Sequence, residues 1–553
     1  MDSKEVLKEY FGYDSFRAGQ EDIINAILEK KDVLAIMPTG AGKSLCYQVP
    51  AMMLSGITVV ISPLISLMQD QVKSLNDVGI NAAYVNSTLS ESEIDGTLNM
   101  VLNGIYKIIY IAPERLESAK FCEFSKQADI SMVTVDEAHC ISQWGQDFRP
   151  SYVKIVDYIN SLPARPVVSA FTATATNEVK TDIECILRLD NPKVVITGFD
   201  RKNLYYSVEH ISGKNRDRYI SNYVKEHIDE SGIIYCATRK NVDTLYETLS
   251  SMGISVTRYH AGLSNEERKR NQDDFIYDRS LVVVATNAFG MGIDKSNVRY
   301  VIHYNMPQSI ENYYQEAGRA GRDGEDSECV LLYSPQDIMI NKFFIEHREP
   351  NPDMDAEEQA RLMILDKRRL NAMVDYCKTT GCLREYILKY FGERPDNPKG
   401  GRYNCHNCSN CVIDEAEREA DEAYMYPGNR FSAPVSRNAA MVADRMKRSA
   451  AAAKSAYATP KSKKPEDALN DRGVMLFNRL RELRKQIAVS VGVPPYVIFS
   501  DRTLIDMCLK VPFNEEEMLS VSGVGENKYE RYGKVFMDEI YDFLDGMKQN
   551  LAR

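Results

Sequence analysis

The stretch Thr39-Gly40-Ala41-Gly42-Lys43-Ser44 decides the fold, because of what stands on either side of it. The five apolar residues Val33–Met37 predict a buried strand, and a helical stretch is expected to begin near Lys43. A strand, a glycine-rich turn and a helix N-terminus together form an anion cradle, in which backbone N–H groups converge on phosphate oxygens. Lys43 would reach the β- and γ-phosphates of a nucleotide, and the Ser44 hydroxyl would bind Mg²⁺.

This hexapeptide is only part of the usual phosphate-binding pattern. The full pattern, G-x-x-x-x-G-K-[ST], has a glycine where this chain has Met37. A tight turn with a surface lysine is therefore the alternative interpretation of the hexapeptide alone. The motifs that follow it in the chain favour the nucleotide site, in which Thr39, Gly40 and Gly42 would line the phosphates.

Composition limits the classes of protein to which the chain could belong. Its 553 residues suffice for roughly three to five domains. No apolar run approaches the roughly 18 residues of a membrane span, and no signal peptide opens the sequence, so we expect a cytoplasmic protein. The net charge of −11 argues against coating nucleic acid by bulk charge, but it allows a local basic channel.

Short apolar runs alternate with helical segments over residues 1–200, which predicts a parallel sheet with helices on both faces. The runs are Val33–Met37, Ile57–Ser62, Ile108–Ala112, Met132–Val135 and Val167–Ala170. Ligands bind such sheets at the carboxyl ends of the strands. At such an end, Asp136 would hold Mg²⁺ through water and Glu137 would orient or activate the attacking water.

A second alternating set begins near residue 231 and predicts a partner lobe, because it lacks a phosphate-binding lysine of its own. Its runs are Ile233–Cys236, Leu281–Ala285, Tyr300–His303 and Cys329–Tyr333. Its last helix is predicted to carry Arg319 and Arg322 one turn apart, with both guanidinium groups on the same side. They would serve as arginine fingers on a nucleotide held by the first lobe. The alternative is an ordinary solvated helix face.

Five of the 12 cysteines crowd into one short span, residues 377–411, which indicates metal and not disulfides in a chain without export signals. Two overlapping C-x-x-C steps and one upstream cysteine supply four thiolates for a tetrahedral structural zinc site. The expected ligands are Cys382, Cys405, Cys408 and Cys411. Cys377 is then a spare, and His406 is a weaker candidate. Chance clustering of reduced cysteines is the alternative.

Together these motifs resemble the RecQ family of DNA helicases in superfamily 2, over about residues 5–415 and 470–545. The resemblance rests on Thr39–Ser44, Asp136–His139, Thr172–Thr176, Gln315–Arg322 and the stretch Tyr13–Gln20. It implies two RecA-like lobes that hydrolyse ATP with Mg²⁺ and move in the 3′-to-5′ direction on DNA. It also implies that Tyr13 stacks on adenine while Arg17 and Gln20 contact the base.

Three further parts of the sequence gain a role from this resemblance. The loop Cys140–Pro150 would link DNA binding to hydrolysis, through Trp144, Phe148 and Arg149. A lone tryptophan is normally a core residue, but one between polar residues in a loop favours a stacking platform. The segment that contains Asp294 would bind DNA and sense ATP, and Gln315 would lie at the nucleotide.

The resemblance also divides the chain into domains. The expected division is 1–200 and 201–338 for the two lobes, 339–415 for a helical zinc-binding subdomain, 416–469 for a linker, and 470–553 for a small all-helical HRDC domain. The linker is basic over 430–464 and leaves no room for the winged helix that many family members have. In the last domain, Gly523-Val524-Gly525 could offer N–H groups to a phosphate or could simply start a helix.

The expected function is that of an ATP-dependent DNA helicase in repair and recombination, acting as a monomer on single strands and tailed duplexes. It would be nucleoid-associated if the cell is bacterial, and the sequence leaves its protein partners unknown. One alternative is an RNA helicase of the same superfamily, which differs in the nucleic acid that activates it. The other is a DNA-binding scaffold on an inactive ATPase fold, which is disfavoured because no residue that the chemistry needs is missing.

Overall fold

Two parallel β-sheets organise the chain in this computed structural model, which describes residues 2–145, 147–211, 213, 215–290, 295–352, 354–395, 403–413 and 469–551. We call the unit built on the first sheet lobe 1 and the unit built on the second sheet lobe 2. The sheets confirm the predicted α/β class with two lobes. The linker predicted over 416–469 lies outside the described residues, except for its last position.

Lobe 1 contains seven strands, all parallel, in the order β3-β4-β2-β5-β6-β1-β7. They are β1 (Val33–Ile36), β2 (Ile57–Ile61), β3 (Ala82–Val85), β4 (Ile108–Ile111), β5 (Ile130–Val135), β6 (Val167–Thr172) and β7 (Lys193–Ile196). β1 lies between β6 and β7, and every residue of β1 is buried. The runs expected from the sequence thus form the inner part of this sheet.

Helices cover both faces of the first sheet, as parallel strands require. They are α1 (Ser3–Phe11), α2 (Gln20–Leu28), α3 (Leu45–Met53), α4 (Ile65–Asp77), α5 (Glu91–Leu102), α6 (Ala119–Gln127), α7 (Pro150–Val153), α8 (Ile155–Ser161) and α9 (Asn177–Ile186). Two of them begin at a capping box, in which the side chains of the N-cap and of the third helical residue bond to each other's backbone N–H groups. These N-caps are Asp2 and Ser90.

Lobe 2 contains six parallel strands in the order β10-β11-β9-β12-β13-β8. They are β8 (Leu204–His210), β9 (Ser231–Tyr235), β10 (Val256–Tyr259), β11 (Val282–Ala285), β12 (Val298–His303) and β13 (Ser327–Tyr333). Its helices are α10 (Asn215–Glu226), α11 (Arg239–Ser251), α12 (Asn265–Ile276), α13 (Ile310–Ala317) and α14 (Pro335–Glu346). The second set of elements therefore starts at Leu204, earlier than the expected residue 231, because β8 is an edge strand without a long apolar run.

A cysteine-rich region and a C-terminal helical domain follow lobe 2. The cysteine-rich region contains α15 (Ala356–Lys378), α16 (Leu383–Tyr390) and the segment 403–413. The C-terminal domain contains α17 (Asp471–Val491), α18 (Pro495–Ile498), α19 (Asp501–Lys510), α20 (Glu515–Leu519), α21 (Glu526–Lys528) and α22 (Lys534–Leu551). Among the described residues, no helix combines the length and the apolar character that a membrane crossing needs.

The C-terminal domain lies against both lobes. The carbonyl oxygen of Gly492, at the end of α17, accepts hydrogen bonds from Lys73 Nζ of lobe 1 (3.4 Å) and from the Tyr277 hydroxyl of lobe 2 (3.0 Å). Gly525 packs so closely on Gly12 that a Cβ atom at Gly525 would lie 2.8 Å from Gly12 Cα. Gly525 is also the N-cap of α21, which agrees with the helix-start alternative for the Gly523–Gly525 turn.

Candidate active site and metal centre

The glycine-rich turn after β1 is held by side chains from outside the turn. Arg17 Nη1 donates to Gly40 O (2.5 Å), and Gln20 Nε2 donates to Ala41 O (3.0 Å) and Gly42 O (3.1 Å). A side chain at Gly42 would meet the Gln20 amide at 2.6 Å, so this close approach requires glycine. Bonds of this kind turn carbonyl groups away from the cradle, which leaves its positive N–H side for an anion.

The helix after the turn starts slightly later than the sequence indicates. α3 begins at Leu45 with Ser44 as its N-cap, whereas a start near Lys43 was predicted. Ser44 and Lys43 thus belong to the turn, beside the positive end of the helix dipole. Met37, which replaces the usual glycine, is fully buried in the core of lobe 1 and does not line the cradle.

The two acidic residues after β5 have different backbone geometry. Asp136 is buried; its Oδ1 accepts from Glu137 N (2.9 Å) and its carbonyl accepts from the Tyr152 hydroxyl (3.0 Å). Glu137 has φ 47° and ψ 46°, in the left-handed region that a non-glycine residue rarely adopts. Such strain is found where a site holds a side chain in a required direction. Within the described structure, Glu137 Oε2 is buried and accepts no hydrogen bond.

The charges around these carboxyl groups push their pKa values apart. Burial, followed by the neighbouring Glu137 carboxylate, raises the pKa of Asp136 to about 7. Burial also acts on Glu137, but Lys43, His139, Arg319 and Arg322 together hold the pKa of Glu137 below its ordinary value. A carboxylate kept ionised beside a buried acid suits Glu137 to accept a proton, and the raised pKa of Asp136 indicates a place where a cation such as Mg²⁺ would be favourable.

The two arginines of lobe 2 face this site from the other side of the cleft, although not from a helix. α13 ends at Ala317, and Gly318 is its C-cap, so the prediction that one helix carries both Arg319 and Arg322 is wrong. Gly321 has φ 56°, which breaks the helical path between the two arginines. We call residues 318–322 the arginine turn. Arg319 Nη1 donates to Gly290 O, and Arg322 Cγ lies 3.3 Å from the position of a Cβ atom on Gly40.

Hydrogen bonds connect His139, which lies beside Glu137, with lobe 2. His139 Nδ1 lies 3.0 Å from Thr172 Oγ1 and 3.3 Å from Glu137 Oε2. Thr172 Oγ1 donates to Thr174 O (3.1 Å), and Gln315 Nε2 donates to Thr174 Oγ1 across the cleft (3.3 Å). The threonine-rich segment after β6 therefore contacts both lobes, and Gln315 reaches the site through it.

The aromatic-rich loop folds back onto the acidic residues. A Cβ atom on Gly145 would lie 2.1 Å from His139 O, so only glycine permits this contact. Trp144 is half-buried and packs against the core cluster that joins the lobes. Arg149 binds Asp147 (2.9 Å) and Pro63 O (2.9 Å), and Phe148 is also half-buried. Their predicted role in DNA coupling stays a prediction.

Two remaining predicted residues have less support from the geometry. Tyr13 is 49% exposed near the start of the segment that follows α1, in a position open to a flat ligand. Asp294 lies outside the described residues. Sequence reasoning missed Tyr152 and Arg369, whose Nη2 donates to Gln143 O (3.1 Å) and so holds the aromatic-rich loop from α15. Neither residue belongs to a motif, so no spacing could have identified it.

The predicted zinc ligands come together in the cysteine-rich region. Their sulfur atoms all lie within 4.8 Å of one another, with Cys405 Sγ to Cys411 Sγ at 3.9 Å and Cys408 Sγ to Cys382 Sγ at 4.0 Å. Tetrahedral zinc with bonds of about 2.3 Å places sulfur atoms roughly 3.8 Å apart, so the four thiols fit this ion. Cys377 and His406 do not belong to the cluster.

The start of α16 supports this metal site. Cys382 is the N-cap of the helix, and its sulfur accepts from Glu385 N at 3.5 Å. Hydrogen bonds among the four thiols lower the pKa of Cys405 and Cys408 and raise the pKa of Cys382 and Cys411, because protonated thiols donate to neighbouring thiolates. Zinc binds the thiolate form, so it would replace these shared protons.

Comparison with known families divides the chain in a similar way. Family models match a DEAD/DEAH box helicase at residues 17–182, a helicase conserved C-terminal domain at 215–324, a RecQ zinc-binding region at 335–412 and an HRDC domain at 474–540. These matches confirm the predicted helicase lobes, zinc-binding subdomain and HRDC domain.

Individual proteins extend the comparison over nearly the whole chain. The chain is 42% identical to the ATP-dependent DNA helicase RecQ of Bacillus subtilis, covering 97% of this chain and 98% of that protein. It is 36% identical to the protein of the same name from Haemophilus influenzae, over 97% and 95%. Among solved structures, Saccharomyces cerevisiae Dbp5 bound to RNA and ADP BeF3 has a TM-score of 0.51 at 19% identity, covering 66% of this chain and 97% of Dbp5. The latter likeness concerns the fold alone.

Proposed function

The chain belongs to the RecQ family of ATP-dependent DNA helicases, and from this membership we propose how its residues share the work of ATP hydrolysis and DNA unwinding. Its cofactors are ATP, Mg²⁺ and Zn²⁺. One observation supports the assignment of the chemistry more than any other: charged groups of both lobes converge on Glu137. Hydrolysis would therefore require that the two lobes lie together.

In this proposal lobe 1 binds the nucleotide. Lys43 would contact the β- and γ-phosphates, and Ser44 and Asp136 would hold Mg²⁺. Magnesium would offset charge on the phosphates, while Glu137 orients the attacking water and accepts its proton. Thr39, Gly40 and Gly42 would line the phosphates.

Lobe 2 would complete the site from the opposite side. Arg319 and Arg322 would offset charge that develops on the transferring phosphoryl group. Gln315 would communicate the state of the nucleotide through Thr174, to which it is already bonded. Asp294 is proposed for the same face on the basis of the family motif alone.

Adenine recognition is the least direct of the proposed roles. Arg17 and Gln20 already donate hydrogen bonds to the glycine-rich turn. Recognition of the adenine base would therefore use their remaining donors and acceptors. Their present bonds support a second role, in which occupation of the base site changes the shape of the phosphate cradle. Tyr13 would stack on the base.

DNA would bind across both lobes and reach the ATP site through the aromatic-rich loop. Trp144 and Phe148 would contact bases or sugars, and Arg149 would steady the loop through Pro63. Because Gly145 touches the His139 carbonyl, a movement of the loop on DNA would reach the acidic residues directly. Movement would be 3′ to 5′ on one strand, by a monomer, in repair and recombination.

The domain limits and cellular place are part of the proposal. We retain 1–200, 201–338, 339–415, 416–469 and 470–553 as the functional division, and cytoplasmic action at the nucleoid if the cell is bacterial. The segment 430–464 contains nine basic residues and one acidic residue, Asp444. This excess of positive charge would add contacts to DNA phosphates.

An unwinding assay tests the proposal. Wild-type protein should separate 3′-tailed duplex DNA in an ATP-dependent reaction, and should leave blunt and 5′-tailed duplexes largely intact. Glu137→Gln should still bind ATP but should hydrolyse almost none, whereas Lys43→Ala should lose both nucleotide engagement and turnover. Near-normal hydrolysis by Glu137→Gln would remove Glu137 from the catalytic role, and stronger activation by RNA than by DNA would favour an RNA helicase.

Measurements of DNA affinity and of DNA-stimulated ATP hydrolysis isolate the role of the aromatic-rich loop. Trp144→Ala should retain most DNA affinity, because phosphate contacts dominate that affinity. It should lose most of the stimulation of ATP hydrolysis by single-stranded DNA. Normal stimulation in this variant would show that Trp144 only packs against the core.

A further inference from the structure

A short segment between the two sheets touches both halves of the proposed ATP site. It consists of Asp200–Asn203, between β7 and β8, and we call it the strap. None of its residues belongs to the motifs from which the function was inferred. Its main feature is Arg201, whose side chain leaves the strap and enters the space between the lobes.

The Arg201 guanidinium donates to four carbonyl groups. Nη1 donates to Thr39 O (2.7 Å) and to Gly318 O (3.2 Å). Nη2 donates to Ala320 O (2.9 Å) and to Gly321 O (2.9 Å). One acceptor belongs to the glycine-rich turn of lobe 1 and three belong to the arginine turn of lobe 2. Only a planar group with several donors in fixed directions can make this set of bonds.

On the lobe 1 side, Arg201 completes the support of the phosphate cradle. The carbonyl groups of four successive residues, 39–42, accept from side chains. Arg17 and Gln20 hold three of these carbonyls from within lobe 1, and their grip does not depend on where lobe 2 lies. Arg201 holds Thr39 from the strap, so this bond alone among the four depends on the arrangement of the lobes.

On the lobe 2 side, Arg201 replaces hydrogen bonds that a helix would have supplied. α13 ends at Ala317, and the carbonyls of the arginine turn have no continuing helix to bond them. Asn203 Nδ2 assists by donating to Gly321 O (2.9 Å) and Glu325 O (2.8 Å). The strap therefore fixes the backbone that carries Arg319 and Arg322.

The strap is itself fixed by the zinc-binding subdomain. Arg384, which is buried two residues after Cys382, donates to Asp200 Oδ1 (2.6 Å) and Arg201 O (2.7 Å). Asn407, between Cys405 and Cys408 in sequence, donates to Lys202 O (3.0 Å). The base of the strap is thus anchored beside the metal ligands, while the tip of Arg201 reaches the cleft.

We propose that Arg201 is a positioning residue for ATP hydrolysis, which aligns the phosphate cradle with the arginine turn by bonding to both. Its guanidinium donors are directed at these carbonyl groups, so it would act without contact to the nucleotide. The inference rests on the proposed function, because the arginine turn must act on the phosphates that the cradle holds. Loss of the guanidinium would leave each half of the site intact but misaligned, and a misplacement of about 1 Å can lower a rate on the order of 100-fold.

The test compares full-length wild-type protein with Arg201→Ala, Arg201→Lys and Arg165→Ala. Arg165 is the matched control, because it binds Asp32 and the backbone carbonyl of Arg188 (3.3 Å) at the amino end of β1, away from the cleft. ATP hydrolysis is measured at saturating single-stranded DNA, together with the KM for ATP, fluorescent ADP binding and the melting temperature.

We expect kcat to fall about 10- to 100-fold in Arg201→Ala, with little change in KM or in ADP affinity. Arg201→Lys should behave like Arg201→Ala, because an ammonium group keeps the charge but cannot span the four carbonyls. Guanidinium ion, well below its denaturing range, should restore part of the rate of Arg201→Ala and none in the control. Wild-type kcat in either Arg201 variant, or a loss explained by a lower melting temperature, would overturn the proposal.

A binding measurement separates this proposal from the proposed function. Wild-type protein should bind ADP with beryllium fluoride more tightly than ADP alone, since the complex mimics the phosphates that both lobes contact. Arg201→Ala should lose that preference. If wild-type protein hydrolyses no ATP on any nucleic acid, the proposed function fails. An unchanged preference in Arg201→Ala would instead overturn the role of Arg201 by itself.

Discussion

The two helical additions after lobe 2 are attached to the rest of the molecule in different ways. The zinc-binding subdomain shares one hydrophobic core with both lobes: Phe391 stacks on Phe199 with ring centres 4.6 Å apart, in the cluster that also contains Cys408 and Cys411. The HRDC domain has a core of its own, in which Phe499 meets Phe536 edge to face at 4.9 Å.

The polar contacts of the two additions show the same difference: those of the zinc-binding subdomain are more deeply buried. Arg384 of the zinc-binding subdomain is buried and bonded to the strap. The hydrogen bonds described between the HRDC domain and the lobes are exposed, such as Arg531 Nη1 to Asp77 O (2.8 Å) and Asn527 Nδ2 to Glu9 O (3.0 Å), and the buried Lys295 of lobe 2 adds a cation–π contact with Tyr496 (6.0 Å). Shared cores unfold together, whereas a separate core held by a few exposed hydrogen bonds can detach. The zinc-binding subdomain is therefore part of the ATPase core, and the HRDC domain is a docked unit.

The largest effect that separates the two additions should follow loss of the metal. Cys408→Ser removes a buried thiolate from a site whose zinc binding contributes on the order of 10 kcal/mol in small zinc peptides. Because this site shares a core with both lobes, the variant should be insoluble or sensitive to protease throughout the lobes. Cys377→Ser, at a buried thiol outside the cluster, is the control and should retain one zinc per chain. Absence of zinc in purified wild-type protein would contradict the assignment of these cysteines to a zinc site.

Loss of a buried arginine in the zinc-binding subdomain should reduce stability far more than loss of a half-exposed arginine in the HRDC domain. Arg384→Ala removes the ion-pair partner of Asp200 and the donors to Arg201 O in the strap and to Leu204 O in β8, which should lower the free energy of unfolding by about 3 kcal/mol. Arg479→Ala removes a half-exposed ion pair with Glu539 inside the HRDC domain and should cost less than about 1 kcal/mol. Urea unfolding measures both variants, and equal losses would contradict the comparison.

Removal of the HRDC domain should leave the remaining chain folded and active as an ATPase. A chain that ends at about residue 425 should keep its DNA-stimulated ATP hydrolysis and nearly the same melting temperature. It should bind tailed duplexes more weakly, and each lost phosphate contact should reduce the salt slope by about 0.7 to 0.9. Identical affinity and slope in the full-length and shortened proteins would show that the residues after 425 do not hold DNA.

The smallest effect concerns docking alone. Lys73→Ala with Tyr277→Phe removes both donors to Gly492 O, each worth about 1 kcal/mol at most in exposed positions. Hydrogen exchange should increase along the contacting surfaces while stability stays the same. Tyr541→Phe, which removes a hydroxyl that donates to Phe513 O within the HRDC domain (2.9 Å), should leave that exchange unchanged. Unchanged exchange in the double variant would mean that other contacts hold the domain.

The sequence predicted the inner strands of both sheets but not the outer ones. The apolar runs that were identified correspond to strands with neighbours on both sides, which are buried on both faces and so carry few charged residues. The four strands that were missed, β3, β7, β8 and β10, are the four edge strands. β7 is largely exposed, and β10 reads Val256-Thr257-Arg258-Tyr259, with no run that stands out. Exposure at a sheet edge removes the pattern on which such predictions depend.

The site was predicted better as a set of residues than as a geometry. The acidic residues, Lys43 and the four cysteines lie where their motifs indicated, because short spacings fix local backbone. The arginine turn was mistaken for a helix, since its true shape depends on carbonyl bonds to Arg201 and Asn203, more than a hundred positions away. Contacts of that range leave no trace in local periodicity.

The shared acceptor at Gly492 has a mechanical consequence. One oxygen atom receives a donor from each lobe, so both bonds can exist together at only one spacing of the lobes. The end of α17 is thereby sensitive to the distance between the lobes, because a change in that distance breaks at least one of the two hydrogen bonds. The strength with which the HRDC domain is attached would therefore change whenever the lobes move relative to each other.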